Sequence, residues 1–247
     1  MWGLLQSEFK KYQGAYIVSL SQLGMLFPVL LVVGMFLISN DTLLANNSYN
    51  YETFTLYVVQ LFVFLVGPII SSFIASFSIY YEYQQMTMKN LLTSPHHRGK
   101  ILLSKLIYVA IFILLQYGLV AILCPVLASV IGVPVSWAAV LEQGYYFCVA
   151  GAVTLVLVPM MMFITLWFKS FVPAMVLAVV GTASNILALN WDKSYLSPWA
   201  IPADILLILQ HKLTMNIIYP GSSLLIYLSL ALLAAFIYFI YADQATS

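Results

Sequence analysis

The sequence predicts an all-α polytopic membrane protein with six transmembrane helices. Three observations predict it: composition, the length of the apolar runs, and the placement of the charges. A mean hydropathy of +1.00, with 63% hydrophobic, 15% aromatic and only 7% charged residues over 247 positions, is not the composition of a soluble globular domain. The apolar runs are continuous and long enough for helices that cross about 30 Å of hydrocarbon, whereas a barrel would alternate in strands of ~10 residues. Charges gather between the runs and leave the runs themselves almost bare.

Residues 1–14 come first, with Trp2, Leu5, Phe9 and Tyr12 on one helical face and Gln6, Lys10, Lys11 and Gln13 opposite. That pattern predicts a helix lying in the membrane interface. It is not expected to be a cleavable signal, because its basic pair precedes an apolar run too long for an h-region and no small-residue cleavage site follows. The spans are expected at about 17–38, 56–80, 104–131, 144–168, 171–190 and 219–241. The loop at 39–55 is polar and rich in turn formers. Gly67, Ser71, Ser72, Ala75 and Ser76 in the second span permit close helix approach. Lys105 is the one charged residue inside any span, and from the first turn its side chain is expected to snorkel out. Gln60, Gln116 and Asn185 are expected to hydrogen-bond between helices.

Spans four and five are joined by little more than Lys169 and Ser170, with Pro173 suited to a first helical turn, so they form an antiparallel hairpin. Residues 191–218 hold Pro198 and Pro202 and then the short apolar helix Asp204 to Lys212, too short to span; it either dips into the leaflet or lies on the surface as a lid. Cys124 and Cys148 sit at similar depth but are expected to be free, since nothing makes them face each other. No repeat, low-complexity tract or composition break divides the chain, so residues 1–247 are expected to form a single domain.

Basic residues beside spans mark the cytoplasmic side. Lys89, Arg98, Lys100 and Lys105 concentrate near the loop at 81–103, and with that loop inside, Lys10, Lys11 and Lys169 join them, leaving only Lys193 and Lys212 outside. Seven bases against the three acids Glu8, Glu82 and Asp243 make the inner side +4; two bases against Asp41, Glu52, Glu142, Asp192 and Asp204 make the outer side −3. Both termini are then cytoplasmic.

Catalytic patterns are absent from the sequence. There is no Gly-x-Ser-x-Gly elbow, no His-Glu-x-x-His and no pair of glutamates within a span, and His96, His97 and His211 all lie in loops. An intramembrane hydrolase is therefore disfavoured. The spans offer no carboxylate for a coupling ion, so any transport must be driven from outside the membrane. No phosphate-binding loop supplies that drive here, since Gly99-Lys100 is followed by Ile101. Nor does anything suggest a nucleic-acid partner. In the cytoplasmic loop, Met86, Met88, Leu91 and Leu92 on a short helix ended by Pro95 would present an apolar knob to a partner's groove.

The run Glu82-x4-Thr87-x3-Leu91-Leu92-Thr93-Ser94-Pro95-x2-Arg98, with Lys105 opening the next span, resembles the coupling loop of ABC-2 type exporter permeases. The resemblance covers essentially the whole chain. With the opening Leu-Leu-x-Ser-Glu8-Phe-x-Lys-Tyr12 and no large extracellular domain, the chain looks most like the permease subunits of lantibiotic self-immunity and bacitracin-resistance exporters. It implies an N-terminal connecting helix and a re-entrant extracellular segment before the last helix. It implies no enzyme activity and no cofactor in this chain, with ATP and Mg bound by a partner. That partner is an ATP-binding cassette ATPase dimer, working with a second permease subunit, identical or related, in a bacterial plasma membrane. Glu82, Thr87, Leu91, Leu92, Pro95 and Arg98 are then expected to couple ATPase closure to the spans. Glu82 is expected to meet Arg98, Lys100 or a partner's base. The family loop often has Gly where this chain has Met86, which suggests a more helical turn here. The implied substrate is an amphipathic antimicrobial peptide drawn from the membrane, with Asp192 and Asp204 as exposed acids that concentrate it. A lipid-linked glycan, a drug or an ion as substrate, or a non-transporting scaffold or sensor, are the alternatives.

Overall fold

The computed structural model describes residues 2–12, 16–38, 50–87, 97–188, 191 and 193–241, and every regular element among them is helical. In chain order these are α1 (Trp2–Tyr12), α2 (Tyr16–Ile38), α3 (Tyr51–Leu61), a π-helical turn (Phe62–Val66), α4 (Gly67–Gln84), α5 (Arg98–Val130), α6 (Trp137–Thr154), α7 (Leu157–Phe168), α8 (Phe171–Ala188), a 3-10 turn (Ser194–Leu196), α9 (Ile201–Leu209) and α10 (Ile218–Tyr241). Five stretches are long and apolar enough to cross a membrane: Leu20–Ile38, Tyr51–Gln84, Arg98–Val130, Trp137–Phe168 and Ile218–Tyr241. The remaining expected span is α8, a helix of 18 residues, near the lower end of the ~17–25 that span.

Helices that are apolar on every face belong in lipid. α2 shows this directly: Met25, Val29, Val32 and Phe36 are buried, while Leu20, Leu23, Phe27 and Leu30 on other faces are exposed. The buried stripe meets Phe54 and Val58 of α3, with Phe36 edge-on to Phe54 at 5.3 Å. α4 packs against both α7 and α8, and its small residues Ser71, Ser72, Ala75 and Ser76 are fully buried there.

The helix from Tyr51 to Gln84 has 34 residues, about 50 Å at 1.5 Å per residue, far more than the hydrocarbon requires. It therefore starts five residues before the expected span, where the Asn50 side chain accepts from Thr53 N at 2.8 Å and caps it. Near its middle the ladder widens by one residue at Phe62–Val66. Gly67 follows because a Cβ there would lie 2.4 Å from the Tyr117 hydroxyl and 2.8 Å from the Phe62 carbonyl. Asn185 of α8 donates Nδ2 to the Phe64 carbonyl at 3.4 Å and to the Trp199 carbonyl at 2.9 Å, tying the π turn to the segment before α9.

The fourth expected span begins earlier, at the Ser136 cap, and is two helices. Pro159 has no N–H for the Leu155 carbonyl and its ring crowds that turn, which accounts for the break at Leu155 and Val156. Lys169, in a left-handed conformation at φ +50°, and Ser170 turn the chain from α7 into α8, which pack together as expected of a hairpin. Cys124 is buried and Cys148 exposed, and both are free.

The segment that leads into α9 packs against the bundle. Trp199 sits on Gly181, where a Cβ would lie 2.4 Å from the indole. Ile201, Ala203 and Leu206 of α9 are buried where the helix meets α6 and α10. α9 ends at His211, left-handed at φ +56°, with Lys212 N donating to the Leu207 carbonyl at 2.9 Å.

Candidate functional site

Side chains of α1 build the site. Tyr12 donates its hydroxyl to the Ser78 carbonyl of α4 at 2.9 Å and stacks on Tyr108 of α5 at 4.9 Å, and Phe9 meets the same Tyr108 ring edge-on at 4.9 Å. These contacts fix the rotation of α1, and Glu8 is carried inward on the same stripe as Leu5 and Tyr12. Glu8 is 5% exposed, Lys105 1% and Glu82 0%. Lys105 Nζ donates to Glu8 Oε1 at 3.0 Å, to Glu8 Oε2 at 2.9 Å and to Glu82 Oε1 at 2.5 Å. Lys11 donates to the same Glu82 oxygen and lies 5.6 Å from the Tyr81 ring centroid.

Two lysines and two glutamates make the cluster neutral, and neutrality permits its burial. Opposite unit charges ~3 Å apart attract by about 5 kcal/mol at an effective dielectric near 20, while an unpaired buried ion costs several kcal/mol. Each ion is therefore held by the others. The expectation that Lys105 snorkels fails for this reason: two carboxylates already meet its ammonium inside. On α1, Glu8 and Tyr12 point inward while Trp2 is 72% exposed and Phe9 37%. Glu82 pairs with Lys105 and Lys11 instead of the expected Arg98 or Lys100.

Thr87 closes the other side, donating Oγ1 to Glu82 Oε2 at 2.5 Å. It is placed by the end of α4: Thr87 N donates to the Glu82 carbonyl at 3.0 Å and Met86 N to the Tyr83 carbonyl at 3.1 Å, the paired bonds of a Schellman stop. Met86 takes the left-handed position at φ +53°. The expected more helical turn is thus corrected: Met86 adopts the conformation that a glycine would take freely, at ~1–2 kcal/mol of steric cost.

Arg98 stands apart from the cluster, donating Nη1 to the Ile240 carbonyl at 3.0 Å and so joining the start of α5 to the end of α10. Leu91, Leu92, Pro95 and Asp192 lie outside the described residues. Asp204 lies within α9, 3% exposed, and accepts a 2.7 Å bond from Ser194 Oγ. Burial pushes its carboxyl above the ordinary aspartate range, with the Ser194 hydroxyl pulling the other way. An acid so enclosed does not present the exposed charge expected to attract a peptide. No group of three or more metal-ligating side chains occurs among the described residues.

What the cluster can do is mechanical. Residues 8–12, 82–87 and 105 come from three segments, so the cluster ties α1, the end of α4 and α5 together. Sequence reasoning missed Glu8 and Lys11, although there was a signal: an acid on the inward stripe of α1 matched the lone base inside a span.

A family model for ABC-2 family transporter proteins matches residues 4–185. The chain belongs to that family. The matched region contains Glu8, Glu82 and Lys105 and ends within α8, before α9 and α10. The bacitracin transport permease protein BCRB of Bacillus licheniformis is 32% identical over 153 residues, 60% of this chain and 72% of that one. As an ABC-2 member, the chain is the multi-pass membrane component of a transporter.

Proposed function

We propose that this permease is the membrane subunit of an ATP-driven exporter that expels a membrane-active peptide antibiotic. The observation that carries the proposal is the family match over residues 4–185, with 32% identity to a bacitracin transport permease. The fully assembled unit pairs two permease chains with an ATP-binding cassette dimer that holds ATP and Mg. With α8 taken as a sixth span, both termini and the loop at 81–103 share one side, and the excess of basic residues there supports the cytoplasm. The segment around α9 is re-entrant.

In this scheme the ATPases grip the loop through Leu91 and Leu92, and their closure pulls on the end of α4. Glu82 receives that movement and passes it through Lys105 to α1 and α5, so three helices shift as one body. Without the ion cluster the end of α4 would move alone. A peptide held in the bilayer is a suitable substrate because the helices are apolar outward, as in α2 and α10, and admit an amphipathic molecule laterally.

The test is survival of bacteria that express the permease with its ATP-binding subunit, challenged with bacitracin and with a cationic lantibiotic. Protection against at least one is expected, and it should vanish when the ATP-binding subunit is omitted. No protection against either peptide would refute the substrate class.

A further inference from the structure

At the end of the bundle that carries Arg98, a cavity of about 640 Å³ opens between the start of α5 and the end of α10, lined by His97, Arg98, Gly99, Lys100, Leu103, Phe236 and Ile240. Its two halves differ in chemistry. The rim is basic: His97 and Lys100 are exposed and Arg98 is half-buried, with Nη1 engaged by the Ile240 carbonyl and further N–H donors on its guanidinium. The same rim is the N-terminus of α5, whose cap residue His97 supplies no side-chain acceptor, and the positive end of the helix dipole adds to the potential there. The floor is apolar: Leu103, Phe236 and Ile240 all belong to helices that cross the membrane. From Ile240 the exposed face of α10 continues as Ile237, Leu233 and Leu230, an apolar track along the helix.

We propose that this cavity is a binding site for an anionic phospholipid, with the phosphate on Arg98 and Lys100 and one acyl chain along Leu103, Phe236 and Ile240. Charge complementarity selects the occupant. Basic pockets between transmembrane helices at the membrane surface are suited to acidic headgroups, and a zwitterionic headgroup brings no net charge to a rim with two permanent cations. The apolar floor excludes the simpler occupants. Free phosphate gains nothing from Leu103, Phe236 and Ile240, and a soluble protein docked on the rim would leave the apolar track of Ile237, Leu233 and Leu230 along α10 uncovered. Because Arg98 also holds the Ile240 carbonyl, a bound lipid would brace the junction of α5 and α10. The site is independent of what the permease transports.

Native mass spectrometry of the full-length chain, purified in detergent and titrated with phosphatidylglycerol or phosphatidylcholine, tests this directly. Phosphatidylglycerol should be retained at least tenfold more tightly than phosphatidylcholine. Lys100→Glu, a charge reversal at an exposed position, should lower phosphatidylglycerol affinity by about tenfold or more without changing thermal stability in lipid-free detergent. Ile240→Gln should weaken the lipid while leaving any binding of inorganic phosphate unaltered. Equal retention of the two lipids, or unchanged retention in Lys100→Glu, would overturn the proposal. So would stripping of the lipid by millimolar inorganic phosphate, which would reduce the site to an anion contact, or its displacement by the ATP-binding subunit, which would assign the rim to a protein interface.

Discussion

Replacing Lys105 with methionine removes one charge and keeps most of the side chain's bulk, so it isolates what the ammonium does. Both Glu8 oxygens lose the ammonium at 2.9 to 3.0 Å, and Glu82 Oε1 loses one of its two lysine donors. Glu8 and Glu82 are then buried with only Lys11 between them, and Lys11 reaches Glu82 alone. Removing one partner of a buried ion pair typically costs about 3–5 kcal/mol, because the charge left behind is uncompensated. At ~2–4 °C per kcal/mol for a chain of this size, the unfolding midpoint in detergent should fall by roughly 10 °C. Glu8→Gln in the same chain removes the carboxylate that has no other base, and the double variant should recover about 1–2 kcal/mol of the loss. A snorkelling lysine would behave differently, with a change in midpoint of about 1 °C or less for an exposed charge. A Lys105→Met midpoint that close to wild type, or a double variant whose losses simply add, would refute the ion cluster as a mutually supporting unit.

Met86→Gly should match or exceed wild-type stability by up to about 1 kcal/mol, and Met86→Ile should lose about 1–2 kcal/mol, both read as thermal midpoints, because only the former relaxes the left-handed turn. Gly67→Ala should cost about 1–3 kcal/mol by overpacking; Tyr117→Phe in the same chain should restore part of it, since the hydroxyl is the nearest atom. Gly181→Leu should push Trp199 off α8 and speed tryptic cleavage at the exposed Lys193, with little effect on cleavage at Lys100.

Most of the architecture was legible because bilayer thickness sets helix length and charge is costly inside, so runs such as 219–241 translate into α10 with little error. Element ends were less legible where a cap or a packing contact decides them. Asn50 begins its helix well before the apolar run, and the broken fourth span depends on Pro159, which apolar counting ignores. In the site, Glu82 and Thr87 were readable as a motif, whereas their partners were not. Glu8 is a single acid in an amphipathic helix, and only the docking of Tyr12 on Tyr108 shows that its face turns inward. Asp204 misled for the converse reason: an acid at the edge of an apolar segment reads as solvated, but the packing of α9 against α6 and α10 encloses it beside Ser194. Met86 shows the limit of residue propensity, since the paired hydrogen bonds of the helix stop outweigh the strain of a left-handed methionine.

The most direct measurement compares ATP hydrolysis and peptide movement in the same proteoliposomes, containing the permease with its ATP-binding subunit, for wild type and Glu82→Gln. Glutamine keeps the shape and an acceptor for Thr87 but breaks the neutral balance with Lys105 and Lys11. Wild type should move a membrane-bound peptide antibiotic only with ATP, and Glu82→Gln should assemble and hydrolyse ATP while transport falls by tenfold or more. Transport at the wild-type rate in Glu82→Gln, or movement of the peptide in wild type without ATP, would contradict the account.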